Sequence, residues 1–325
     1  MRKEILNLLA HRPGEYISGE AISHTLNITR AAVWKQIQTL KELGYEIEAQ
    51  TKSGYRLVKS PLSLEEWVLE QGLRTKALGR EIRCFEELPS TNDYAKELIR
   101  RGTENREVIL ARRQTAGRGR LQRAWESPEG GIWMTVILKP QLSLADAAKL
   151  TLSAGVALVR ACRKLYGLEM KIKWPNDMVY QGKKCAGILG EVVGEWNAVQ
   201  TLILGIGINA NLEREDLPSE LPLTTIKELL GHPIDLNELV ITLLEELEIE
   251  VRSLEEGDIQ GLRERWLSYA AGVGKEVYIE RVGQVFRGIF KGISMDGELI
   301  LEENNRELLF SSGDVKLRSV EGYSP

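Results

Sequence analysis

At 325 residues the chain is longer than one hydrophobic core ordinarily organises, so two or three domains are expected. With 43% hydrophobic and 28% charged residues it is not a disordered chain. The net charge of −4 is uneven: residues 1–60 hold nine Lys and Arg against six Glu and no Asp, so a basic N-terminal module precedes an acidic remainder.

No apolar run approaches the roughly 20 residues that span a bilayer, and the start MRKEILNLLAHRPGEY meets charge too early for a secretory signal. A cytoplasmic protein without a membrane partner is expected. Cys84, Cys162 and Cys185 are few and far apart, which argues against a disulfide framework and a thiolate zinc site. His11, His24 and His232 supply catalytic zinc poorly.

Apolar spacing predicts a helix over 3–10, then a break at Pro13 and Gly14. Ser18 caps a second helix over GEAISHTL, and Thr29 a third over RAAVWKQIQTLKELG, whose Val33, Ile37, Leu40 and Leu43 form one stripe. YEIEAQ and YRLVKS alternate like a hairpin around Thr51, Lys52, Ser53 and Gly54. This is a winged helix-turn-helix. In DNA such a unit would offer Thr29, Arg30, Trp34 and Lys35 to the major groove, with Lys52 and Arg56 on phosphates. Small domains of this shape also serve as protein adaptors. Ser60-Pro61 marks a linker and LSLEEWVLEQGL a connecting helix.

From about residue 80 short strands and helices alternate. EIRCFEEL reads as a strand and TNDYAKELIRRG as a helix capped by Ser90 or Thr91. After the strand REVILAR comes RRQTAGRGRLQRAWESPEGG, with Arg112, Arg113, Arg118, Arg120 and Arg123 within twelve residues and no acid before Glu126. Ordering a residue's backbone costs about 1–2 kcal/mol, so this glycine-rich, like-charged loop is expected to stay mobile until an anion orders it. Glycine-freed amides and Arg forks suit phosphate or carboxylate oxygens. The competing reading is a second nucleic-acid loop, which the acidic surroundings disfavour.

ADAAKLTLSAGVALVRACRKLYG predicts one long helix. In MKIKWPNDMVYQGKKCAGILGEVV, Pro175 restricts Trp174 to an extended conformation, and Asn176-Asp177 and Gln181-Gly182 mark turns. Lys184 stands at the start of an apolar strand, either snorkelling to solvent or aimed into a site, and sequence alone leaves both open. GIGINA matches a dinucleotide fingerprint, but no helix follows it, so a Rossmann site is rejected. Gly205 and Gly207 read instead as places where a ligand nears the backbone, with Asn209 supplying an amide. Two helical stretches and five short alternating segments complete the chain, the latter predicting a small barrel.

GRGRLQRAW at 117–125, KWPND at 173–177, KKCAGIL at 183–189, GIGINAN at 205–211 and FSSGDVKLR at 310–318 occur in family order. On these motifs the whole chain resembles the bifunctional biotin protein ligase and biotin operon repressor family. The resemblance implies an α+β multidomain protein: a winged helix-turn-helix DNA-binding domain at 1–60, a linker helix at 61–79, a mixed α/β ligase core at 80–270 and an SH3-like β-barrel at 271–325.

The resemblance also implies roles. Lys184, Arg118 and Arg120 would be catalytic. Ser90, Thr91, Asn92, Gln114, Arg118, Gly119, Arg120, Lys184 and Gly187 would hold biotin; Arg120, Trp125, Asp177, Lys184, Gly205 and Asn209 would hold the nucleotide. Leu121 and Gln122, where some members have Arg-Gly, receive no role. ATP, Mg²⁺ and biotin would be used and no cofactor tightly held. Expected partners are biotin carboxyl carrier domains of acetyl-CoA carboxylase or pyruvate carboxylase, operator DNA, and a second copy of the chain recruited by biotinyl-5′-AMP. Two alternatives are a transcription factor with a non-catalytic sensing core, and a lipoate-attaching relative.

Overall fold

The computed structural model describes all residues except 11, 13, 60, 104, 105, 141, 148, 194–200, 282, 283, 312–314 and 320–325. Pro13 and Ser60 of the expected break and linker, and residues 312–314 of the last motif, therefore lie outside the described residues. The chain divides into two compact units, Met1–Gln71 and Gly72–Pro325.

In the first unit, α1 (Arg2–Ala10), α2 (Gly19–Leu26) and α3 (Arg30–Glu42) precede a hairpin of β1 (Glu46–Gln50) and β2 (Gly54–Lys59). Both caps form: Ser18 Oγ accepts from Ala21 N at 3.0 Å and Thr29 Oγ1 from Ala32 N at 3.1 Å. The stripe read from sequence is the buried face, since Val33, Ile37 and Leu40 join Ile5, Leu9 and Ile22 in one cluster. Leu43 departs from it and is exposed. Trp67, on α4 (Glu66–Gly72), belongs to this cluster and donates its Nε1 to Tyr45 Oη at 2.5 Å.

The second unit is built on a seven-stranded sheet. Its chain order is β3 (Glu81–Leu88), α5 (Thr91–Arg100), β4 (Glu107–Gln114), β5 (Ile132–Leu138), α6 (Leu144–Ala147), α7 (Leu150–Tyr166), β6 (Lys171–Lys173), β7 (Asp177–Tyr180), β8 (Lys183–Val193) and β9 (Thr201–Ile208). The strands lie in the order β3-β4-β5-β9-β8-β7-β6, parallel only between β3 and β4. The long helix expected near 145–167 is two helices, α6 and α7. Lys149, between them, turns its Nζ back to Asp146 Oδ1 at 2.6 Å. Trp174-Pro175 is a cis peptide in the turn between β6 and β7.

Behind the sheet, α8 (Ile226–Leu230), α9 (Leu236–Glu255) and α10 (Ile259–Tyr269) follow β9. The buried Glu250 of α9 accepts from Arg160 of α7 at 2.7 Å and pairs with Arg265 of α10 at 3.0 Å, tying three helices at one carboxylate. The terminal segment is a five-stranded antiparallel sheet of β10 (Glu276–Arg281), β11 (Gln284–Ile293), β12 (Leu299–Glu303), β13 (Arg306–Phe310) and β14 (Val315–Ser319), in the order β13-β12-β11-β10-β14. It docks on the core where Gly297 O accepts from Trp174 Nε1 at 3.1 Å and Ile293 O from Arg263 Nε at 2.7 Å. No described helix is long and apolar enough to cross a membrane.

Candidate functional site

Strand register builds the floor of a cleft. Asp177 pairs with Gly187, Gly187 with Gly207 and Gly207 with Trp133, so the four lie side by side across β7, β8, β9 and β5. Directly paired residues share a sheet face, and Gly205 with Thr135 continues that face two residues along. The missing side chains make room for other parts of the chain. A Cβ on Gly207 would stand 2.8 Å from Trp125 Nε1, one on Gly187 3.2 Å from Lys184 Nζ, and one on Gly205 would overlap the Asn92 amide. Asn92 and Trp125 thus stand close over Gly205 and Gly207, which also line the cavity above the floor.

Above this floor is a cavity of about 600 Å³. It is lined by every residue singled out for the chemistry: Ser90, Thr91, Asn92, Gln114, Arg118, Gly119, Arg120, Trp125, Asp177, Lys184, Gly187, Gly205 and Asn209. The first group comes from the start of α5 and the end of β4. Ser90 Oγ caps α5, accepting from Asp93 N at 3.3 Å. Gln114 Oε1 accepts from Thr91 N at 2.8 Å and from Thr91 Oγ1 at 3.1 Å, while its Nε2 donates to Ser127 Oγ at 2.9 Å. Asn92 Nδ2 donates to Glu191 Oε2 at 2.7 Å, and Thr135 Oγ1 reaches Asn92 Oδ1 at 2.6 Å. Sequence reading did not find Thr135.

The second group is cationic. Lys184 is clamped through its backbone, its N donating to Pro222 O at 2.8 Å and its O accepting from Thr224 N at 2.9 Å. The ammonium turns inward, 2.5 Å from Asp177 Oδ1 and 4.8 Å from the Trp125 ring centroid, and both charged side chains are 15% exposed. That settles the choice left open by sequence between solvent and site. Buried Lys173, unassigned by sequence, also lines the cavity.

The arginine-glycine loop folds across this opening. Gly119 N donates to Arg123 O at 2.8 Å and Trp125 N to Gly117 O at 3.0 Å, which seats Trp125 edge-on to Trp133 with centroids 6.5 Å apart. Trp125 Nε1 is buried against the Gly207 floor with no hydrogen-bond acceptor among the described residues. Arg118 pairs with Asp93 in the first turn of α5, and Arg120 Nη1 reaches Asn176 Oδ1 at 3.5 Å. Asp93 was also not singled out, and Asn176 only as a turn residue. Leu121 and Gln122 both adopt left-handed backbone, with φ of 57° and 56°. Asn209 is nearly fully buried, its Nδ2 donating to Thr224 O at 3.3 Å.

In the first unit Thr29, Arg30, Trp34 and Lys35 are exposed at the start of α3, Trp34 with 57% of its surface, and Lys52 stands exposed between β1 and β2 with φ of 68°. Arg56 is engaged: Nη2 donates to Glu48 Oε2 at 2.5 Å, and its guanidinium lies 4.8 Å from the Tyr16 ring.

Three family models match the chain in succession: an HTH domain at residues 2–56, the biotin/lipoate A/B protein ligase family at 84–209, and the biotin protein ligase C terminal domain at 272–318. Fold and cavity therefore define a ligase core joined to a helix-turn-helix. The bifunctional ligase/repressor BirA of Bacillus subtilis is 37% identical over 98% of this chain and 98% of its own. That of Escherichia coli is 30% identical over 98% and 97%. Among solved structures, the biotin protein ligase from Aquifex aeolicus in complex with biotin and ATP superposes with a TM-score of 0.65 at 28% identity, over 74% of this chain and 99% of that one. The chain belongs to the bifunctional ligase/repressor family.

Proposed function

We propose that this protein is an ATP-dependent biotin protein ligase that also represses transcription. A biotin carboxylate oxygen attacks the α-phosphorus of ATP; the bond to the bridging oxygen breaks, giving biotinyl-5′-AMP and pyrophosphate. A lysine amine on a biotin carboxyl carrier domain of acetyl-CoA carboxylase, or pyruvate carboxylase, then attacks the acyl carbon and AMP leaves. The observation that carries this reading is the convergence of Arg118, Arg120, Lys173 and Lys184 on one cavity that also holds Trp125 and the Thr91–Gln114 hydrogen bonds. Oriented cations in a site shielded from water stabilise charge developing on phosphate.

Within that site Arg118 and Arg120 would hold the carboxyl and phosphate oxygens. Lys184, kept in place by Asp177, would meet the α-phosphate, and Trp125 would stack on adenine. Ser90, Thr91, Asn92, Gln114, Gly119 and Gly187 would surround biotin, with Gly205 and Asn209 toward the nucleotide. Among the described residues no three carboxylates or imidazoles form a metal cluster. Asp177 beside the cations fits a Mg²⁺ that travels on the nucleotide, because that ion is typically held by one or two carboxylates plus substrate phosphates. It would supply further charge neutralisation.

The same reading gives the winged helix an operator, contacted by Thr29, Arg30, Trp34, Lys35 and Lys52, and makes the adenylate a corepressor that favours a two-fold dimer on a palindromic site in the cytoplasm. Incubation with ATP and either biotin or lipoate, followed by mass spectrometry of a carrier domain, tests the activity. Addition of biotin supports the reading; addition of lipoate alone, or no addition, rejects it. Sedimentation with and without biotinyl-5′-AMP tests the dimer.

A further inference from the structure

A second cavity, of about 190 Å³, adjoins the first. The two share Arg120, Trp174, Pro175, Asn176, Ile188 and Leu189 as lining. It falls below the range of about 300–1,000 Å³ usual for a small-molecule pocket, so it suits one slender side chain better than a nucleotide. Its lining combines carboxylates, apolar side chains and two cations, one of which, Lys149, stands 3.6 Å from Asp296 Oδ1. From the turn between β11 and β12 come the carboxylates of Asp296, which is 74% exposed, and Glu298; with them are apolar Leu152, Trp174 and Ile188, with Arg120 and the almost fully buried Lys149.

We propose that this smaller cavity is the channel by which the acceptor lysine reaches the acyl-adenylate, with Asp296 and Glu298 as the carboxylates that receive its ammonium group; the proposal rests on the ligase reading above. Acidic side chains at a mouth attract and orient a cation, and the apolar wall beyond them accommodates a tetramethylene stem. Within the cavity, desolvation and two like charges, Lys149 beside Asp296 and Arg120, both disfavour the ammonium form. The lysine therefore sheds one proton to solvent on the way in. Its neutral nitrogen attacks the acyl carbon, the C–N bond forms, the bond from that carbon to the phosphate oxygen breaks, and AMP departs with the electron pair. A second proton leaves the nitrogen to solvent, completing the amide.

The dock of the terminal sheet explains why its turn can perform this task. Trp174 Nε1 donates to Gly297 O at 3.1 Å, and Lys149 Nζ stands 3.6 Å from Asp296 Oδ1, so the two carboxylates flank a residue fixed to the core. Ser294 Oγ accepts from both Asp296 N and Glu298 N at 3.2 Å, which holds the turn whatever the charge of those side chains.

The test uses the full-length protein with ATP, biotin and a biotin carboxyl carrier domain, reading pyrophosphate release and biotin transfer separately. For the double variant Asp296→Asn with Glu298→Gln, the KM for carrier should rise at least about fivefold, as expected for two screened carboxylate–ammonium attractions. Glu298→Lys should raise it further, and added salt should narrow the gap to wild type. An unchanged carrier KM in both variants, with pyrophosphate release showing folded enzyme, overturns the channel. A wild-type protein that forms no adenylate overturns the ligase reading instead.

Discussion

Lys184 Nζ lies 2.5 Å from Asp177 Oδ1, and register puts Asp177 beside Gly187 on the strand that carries the lysine. The carboxylate fixes the direction of the ammonium before any substrate binds. Removing the lysine deletes a cation from the cavity and takes one ion partner from a largely buried carboxylate. Lys184→Ala should therefore slow biotin-dependent pyrophosphate release about 10²- to 10³-fold, the usual cost of losing an oriented donor in a dry site. Release within threefold of wild type at saturating substrates would remove Lys184 from the reaction.

The three floor glycines should differ in tolerance. A methyl at Gly205 overlaps the Asn92 amide, which is held on its far side by Glu191; one at Gly207 stands 2.8 Å from Trp125 Nε1, and one at Gly187 3.2 Å from the far end of Lys184. Gly205→Ala should impair adenylate formation most, Gly207→Ala next, and Gly187→Ala least, because a lysine tip can move aside. Steady-state kinetics with biotin and ATP give the order, and Trp fluorescence reports the Gly207 variant separately. Equal activities would show that this floor is not tightly packed against the loop.

How much was legible in sequence depends on the range of the interaction. Ser18 and Thr29 were found as caps because a cap and its amide are three residues apart, and the stripe Val33, Ile37, Leu40 because one helix carries it. The direction of Lys184 was not readable, since it depends on Pro222 and Thr224, almost forty residues on. That Asn92 and Trp125 stand over Gly205 and Gly207 was unreadable for the same reason: they come from segments about eighty to a hundred and ten residues earlier. Asp93 was hidden in another way, because an acid in the first turn of a helix is already accounted for by the helix dipole.

Glu250 joins α7, α9 and α10 through Arg160 and Arg265 while 1% exposed. Removing one partner of a buried ion pair typically costs about 3–5 kcal/mol; the cost here belongs at the lower end, because Arg160 and Arg265 are 31% and 23% exposed and Arg265 keeps Asp258 at 2.8 Å. Glu250→Ala should lower the thermal midpoint of the second unit by on the order of 10 °C. Calorimetry measures it, and a shift below about 2 °C would mean that water reaches the arginines readily.

Because Trp67 belongs to the core of the first unit and hydrogen-bonds Tyr45, the division at 71 is the one expected to separate the activities cleanly. A chain beginning at residue 72 should transfer biotin and fail to bind operator, whereas one beginning at 61 keeps a tryptophan stripped of its packing and should be less soluble. Carrier biotinylation and gel-shift assays on both decide it. Loss of ligation in the shorter chain would show that the first unit contributes to the chemistry.

The wing supplies the last expectation. Arg56 looked like a phosphate contact, yet its guanidinium is shared between Glu48 Oε2 at 2.5 Å and Gly14 O at 3.4 Å and lies over Tyr16, whose Oη also donates to Glu48 at 2.7 Å. These bonds from Tyr16 and Arg56 hold the Glu48 carboxyl below its usual range, so it remains ionised and keeps Arg56 occupied. Among the described residues Lys52 has no such hydrogen bond or ion pair, and it stands exposed at the hairpin tip. Each phosphate contact contributes about −0.9 to the slope of log affinity against log salt. Lys52→Ala should therefore flatten the slope by about one unit, Arg56→Ala should leave it unchanged, and Glu48→Gln should steepen it by freeing Arg56 for one more contact. Operator titrations over a range of salt measure all three. A flattened slope in Arg56→Ala would mean that DNA pulls the guanidinium away from Glu48, restoring the role its sequence position suggested.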